Sequence, residues 1–139
     1  MKKYRDKAFS PKASEYNHAA YVEGVKFYRN RRFTKVIKFF EEALEYWPND
    51  PQAWFALGNC YDELKKPSKA EKCFLKSLKY SPSDKKDDVY FNLANSLYDQ
   101  NMLDEAIEYY CKVTEQSNVY CSAQKNISLA ESEKNEGKS

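Results

Sequence analysis

Glycine is almost missing from this chain of 139 residues: it occurs three times, at positions 24, 58 and 137, and never in a cluster. That excludes a glycine-rich loop that cradles phosphate with backbone N–H groups. Histidine occurs once, at His18, so a cysteine nucleophile has little chance of a nearby base and no histidine-rich metal cluster can form. The four cysteines, Cys60, Cys73, Cys111 and Cys121, make no C-x-x-C pair and have no metal-ligand spacing. Cys60 is expected as a small buried hydrophobe, and Cys73 and Cys111 as packing or surface residues. No catalytic residue, metal ligand or cofactor is therefore expected. There is no run of eighteen apolar residues, so no membrane span is expected. The opening Met1-Lys2-Lys3-Tyr4-Arg5-Asp6-Lys7 is basic but leads into no apolar stretch, and no secretory signal is expected. Reduced thiols and a cytoplasmic location follow as expectations.

What is present is material for helices. Hydrophobic residues make up 42% of the chain and aromatic residues 16%, mostly twelve tyrosines and eight phenylalanines. Scarce glycine and few β-branched residues favour helix over strand. The net charge of +2 is unevenly spread: residues 1–35 carry ten Lys/Arg against three Asp/Glu, and the remainder carries thirteen against eighteen. The N-terminal end is basic and the rest acidic.

A repeat of 34 residues organises the middle of the chain. Pro48 and Pro82 are 34 apart. Between them stand Trp54, Leu57, Gly58 and Tyr61, then Ala70 and Phe74. This series resembles the tetratricopeptide repeat family at every signature place. An upstream copy keeps Gly24, Phe27, Val36, Phe40, Ala43 and Pro48, but has Ala20 and Glu23 where tryptophan and leucine belong. Val36 replaces a small residue, so that crossing is expected to be looser. A downstream copy keeps Tyr90, Leu93, Ala94, Leu97, Ala106 and Tyr110 and lacks the final proline, and the linker 81–86 makes it start two residues late.

The resemblance implies an all-α fold, a right-handed superhelical solenoid of three helical hairpins plus a C-terminal capping helix. The expected helices are 15–30, 33–46, 51–65, 67–80, 87–100, 102–116 and 119–133. They make repeats at about 17–50, 51–84 and 87–116 within a domain spanning 15–133. Residues 1–14 are expected as a basic arm and 134–139 as a frayed tail. Local signals agree: Asp50-Pro51 and Lys66-Pro67 suit helix starts. Asn101 is expected to cap the following helix, and Asp87, Asp88, Asp104 and Glu105 suit first turns. Tyr120, Ala123, Ile127 and Ala130 form one apolar stripe on the capping helix.

In this family the first helix of each hairpin lines a concave groove, and the groove residues are those the signature leaves over. Carried over by register, they are Tyr21, Val25 and Tyr28, with His18 and Arg29, from the first copy. The second supplies Phe55, Asn59 and Asp62, with Gln52 and Glu63. The third supplies Phe91, Asn95, Tyr98 and Asp99, with Asp88. Tyr21, Phe55 and Phe91 hold equivalent places and form either an aromatic row for a ligand or sideways packing between repeats. Asn59 and Asn95 suit a ligand's backbone or are ordinary satisfied surface asparagines. One version of the family clamps a C-terminal carboxylate. Asn59 and Asn92 fit that role, but Tyr21, Phe55 and Asp88 stand where cations belong. The expected function is a protein–protein interaction scaffold, an adaptor or chaperone-like module that is not an enzyme. It takes a partner's peptide or amphipathic helix in the groove. The alternative is an assembly subunit that uses its convex face or edges. Contact with nucleic acid through Arg29, Arg31, Arg32 and the basic arm is the lesser option, because the domain as a whole is not strongly basic. A monomer or weak homodimer is expected.

Overall fold

A computed structural model describes residues 32–137. Within them lie six α-helices: α1 (Phe33–Tyr46), α2 (Pro51–Glu63), α3 (Pro67–Tyr80), α4 (Asp87–Asp99), α5 (Leu103–Tyr110) and α6 (Tyr120–Gly137). A short 3-10 turn, Ser83–Lys85, lies in the linker before α4. No strand occurs among the described residues. Each helix packs on the next in sequence, which makes an all-α tetratricopeptide-type solenoid. The expected arm 1–14 and first helix 15–30 lie outside the described residues.

The signature residues make the interlocks that hold consecutive helices together. Gly58 on α2 faces Phe74 on α3 so closely that a Cβ at Gly58 would stand 2.5 Å from the ring. The small residues Ala70, Ala94 and Ala106 are fully buried where helices cross. Val36 is 1% exposed. The crossing with the first helix, 15–30, at which looser packing was expected, lies outside the described residues. The Trp54 indole N–H donates to the Pro48 carbonyl at 2.6 Å, and the buried Ser77 hydroxyl donates to the Pro51 carbonyl at 2.8 Å. These bonds tie α2 to the turn before it and to α3 after it.

Helix ends follow local chemistry, with two departures from expectation. Asp50 caps α2 by accepting the Gln52 backbone N–H at 2.9 Å, and proline opens both α2 and α3. Lys65 and Asn101, at equivalent places in their repeats, have φ of 61° and 62°. Lys66 N–H reaches Tyr61 O and Met102 N–H reaches Leu97 O, both at 2.9 Å. These are Schellman closures of α2 and α4. Asn101 therefore ends the helix before it instead of capping the one after, and Met102 takes the N-cap of α5 without a side-chain bond.

The second departure is at the C-terminal end. α5 stops at Tyr110 instead of running to 116. Val113 turns inward and is buried, and Thr114 donates its backbone N–H and hydroxyl to the Asp87 carboxylate at 3.2 and 2.5 Å. The chain is thus pulled back to the start of α4. α6 then runs four residues beyond the expected 133. Ala123 and Ala130 are fully buried, and Tyr120 and Ile127 pack beside the core. Lys134 pairs with Asp104 of α5, so 134–137 form helix where a frayed tail was expected.

Candidate functional site

The first helices of the second and third hairpins, α2 and α4, carry no lysine or arginine. All of their charge is acidic. Lysines sit instead on the second helix α3, at 69, 72, 76 and 79. The two rows of the solenoid therefore differ in sign over the second hairpin.

Phe55 and Phe91 occupy repeat-equivalent places and make equivalent contacts. The Phe55 ring lies 5.7 Å from Phe74 at 54°, and the Phe91 ring lies 5.8 Å from Tyr110 at 57°. Both rings are half-buried and pack beside the core. The edge-tilted geometry fixes each ring through its own hairpin. Core packing thus accounts for part of each ring's surface, and the rest is accessible. Tyr21, Val25 and Tyr28, with His18 and Arg29, lie outside the described residues.

The asparagines are linked to neighbouring helices. Asn92 donates to Asn59 at 2.8 Å, which joins α4 to α2. Asn95 accepts from the Tyr110 hydroxyl and, at 3.3 Å, from Asn126 of α6. Asn126 also reaches the Tyr110 oxygen at 3.2 Å. Each asparagine is half-buried and keeps amide capacity beyond these bonds. Tyr110 titrates above its ordinary range, chiefly because of burial.

Negative charge gathers at one side. The Asp62 carboxyl is pushed above the ordinary carboxylate range by burial first, then by Asp99 and Glu63. Tyr98 donates to Glu133 of α6, and that bond, followed by burial, pushes its hydroxyl up to about 12. The structure thus brings Asp62, Glu63, Tyr98 and Asp99 together, with Glu133 from the last helix. Asp88 and Gln52 are exposed near the opposite ends of their helices. Asn126 and Glu133 were not among the residues expected from sequence. They stand seven apart, so they share a helix face, and that spacing was the available signal.

Among the described residues, no group of His, Cys, Asp and Glu could hold a metal ion, and no helix is long and apolar enough to cross a membrane.

Residues 51–84 and residues 87–120 each match a family model described as tetratricopeptide repeat. No curated protein matches the chain. Several solved structures are similar in fold. The type III secretion chaperone SycD of Yersinia enterocolitica, in complex with a peptide of the translocator YopD, superposes with a TM-score of 0.79 at 13% identity, covering 93% of this chain and 99% of that one. The TPR2B domain of yeast Sti1 in its pHsp70 complex gives 0.78 at 13% identity, with 86% and 98% covered. The first such domain of Spaghetti (RPAP3), bound to the HSP90 peptide SRMEEVD, gives 0.77 at 17% identity, with 86% and 95% covered. With two consecutive repeats matched, their interlocks in place and the fold shared with these domains, the chain belongs to the tetratricopeptide repeat family.

Proposed function

We propose that this chain is a non-catalytic interaction module that holds a partner's peptide or amphipathic helix along the row formed by α2 and α4, as an adaptor or chaperone-like holder. The observation that carries this reading is the repeated presentation of a half-buried phenylalanine, an asparagine and acidic residues. Phe55, Asn59 and Asp62–Glu63 recur as Phe91, Asn95 and Tyr98–Asp99. Such a strip offers apolar surface for side chains, amides for a backbone and carboxylates for cations. By register, Tyr21, Val25 and Tyr28 extend it into the first hairpin. Structural neighbours that carry peptides support the reading at the level of fold.

The charge of the strip selects the ligand. Asp62 already bears the repulsion of Asp99 and Glu63, which a lysine or arginine would relieve. An acidic tail would add to it. The favoured ligand is therefore a segment with apolar anchors and at least one basic residue, unlike the acidic peptide SRMEEVD held by Spaghetti.

The test is a variant with Tyr21, Phe55 and Phe91 all changed to alanine. Partner capture from lysate, compared by mass spectrometry, should be lost while helix content by circular dichroism is retained. Unchanged capture by the folded variant would overturn the groove reading. Loss on reversing Arg29, Arg31 and Arg32 instead would favour a charge-driven partner such as nucleic acid.

A further inference from the structure

The outer surface of the second hairpin carries a feature that the groove does not use. Lys72, Leu75, Lys76 and Lys79 form one stripe of α3, at spacings of three, one and three. They border a hollow of about 540 Å³, and its wall is completed by Cys73 and by Trp54 of α2. Leu75 is 40% exposed, one of few large apolar side chains left open among the described residues. The indole N–H of Trp54 is committed to Pro48, so only the apolar ring surface is offered. Among the described residues, none of the three lysines is paired with a carboxylate. Lys79 alone has another described contact, lying 5.4 Å from the Tyr80 ring centre. Glu41 of α1 lies within electrostatic reach of Tyr61 and of Cys73 in the wall of the hollow, and among the described residues it makes no ion pair with the three lysines.

We infer that this hollow is a second docking site, for an acidic segment of another protein that inserts one apolar side chain. Charge complementarity sets the choice. Three unpaired ammonium groups along about 10 Å of helix match a row of carboxylates, given a rise of 1.5 Å per residue. The hollow between them takes a leucine- or phenylalanine-sized group, whose burial removes Leu75 and Trp54 surface from water. A flat lipid surface would satisfy the lysines but leave the hollow empty, so a bilayer is the poorer fit. The two faces would have opposite preferences: the inner row takes a basic segment, and this outer stripe an acidic one.

The experiment uses the full chain and a fluorescein-labelled peptide, Glu-Asp-Glu-Leu-Phe-Asp-Glu-Glu, followed by anisotropy and by amide and indole NMR shifts. The expected result is binding that shifts the Trp54 indole N–H and the Leu75 amide. Reversal of the stripe (K72E, K76E and K79E together) should weaken binding at least about tenfold, and Leu75→Ala about threefold. All four positions are exposed enough for circular dichroism to confirm an intact fold. The F55A/F91A variant should bind this peptide as the wild type does, which separates failure here from failure of the groove reading. Three results would overturn the inference: no binding, binding unaffected by the reversal, or shifts at Phe55 and Phe91 instead. Vesicles rich in phosphatidylserine binding where the peptide does not would assign the stripe to a membrane surface. Self-association abolished by the reversal, again without peptide binding, would assign it to a second copy.

Discussion

The notch at Gly58 is filled by the Phe74 ring, and this contact can be tested one atom at a time. Gly58→Ala places a methyl carbon 2.5 Å from the ring. Better helix propensity would return about 1 kcal/mol, but the overlap costs about 1–3 kcal/mol, so a net loss is expected in urea denaturation. Adding Phe74→Leu should recover part of it. The thiols divide in the same residue-level way. Cys60 and Cys73 are buried, whereas Cys111 and Cys121 are exposed. Burial, assisted by Cys73 and Glu63, pushes the Cys60 thiol up to about 12, and burial with Glu41 does the same for Cys73. Iodoacetamide near neutral pH should modify two cysteines in the folded protein and four in the unfolded one. Because the folded-state values are raised, the thiols' contribution to stability is complete below their ordinary value near 9. It is lost as pH climbs from there towards about 12. A double Cys60→Ala, Cys73→Ala variant should show a shallower decline of urea midpoint over that range. Gly58 was legible in the sequence because the repeat signature demands a small residue there. The amide pairing of Asn59 with Asn92 was not, because an asparagine's partner depends on how two helices are set, not on either one alone.

At the scale of the element, helix starts were easier to read than helix ends. Asp50-Pro51 announces its helix through a carboxylate and a fixed φ. Lys65 announces nothing, yet it adopts a left-handed φ of 61°, which glycine or asparagine tolerates better than lysine. Lys65→Gly should stabilise the protein by about 1 kcal/mol, seen as a higher urea midpoint with unchanged slope. Asn101, at the equivalent place, already has the more tolerant side chain, so Asn101→Gly should change little. The early end of α5 was also hidden. Its cause is a bond across 27 residues, from Thr114 back to Asp87, and local propensity carries no trace of such a contact. The length of α6 was underestimated for a related reason. A polar sequence looks frayed, but here Glu133 and Lys134 are each held by a residue of the third hairpin.

At the scale of the molecule, the repeat register carried the architecture, because each hairpin needs its neighbour to cover its apolar face. It also placed Phe55 and Phe91 at matching sites, with matching ring contacts 5.7 and 5.8 Å away. It could not show that α6 would reach Asn95 and Tyr98, since the last helix lies outside the repeat. The segregation of charge, acidic on α2 and α4 and lysine-bearing on α3, is a property of the stacked whole. It gives the groove claim its sharpest consequence. The most direct measurement is selection of binders from a displayed random-peptide library on the wild-type protein, with every enriched peptide then titrated against Y21A/F55A/F91A and D62N/D99N variants. The account predicts an enriched class with apolar anchors and a lysine or arginine, whose affinity falls at least about tenfold in both variants. Failure to enrich that class, or its binding to either variant as tightly as to the wild type, would contradict it.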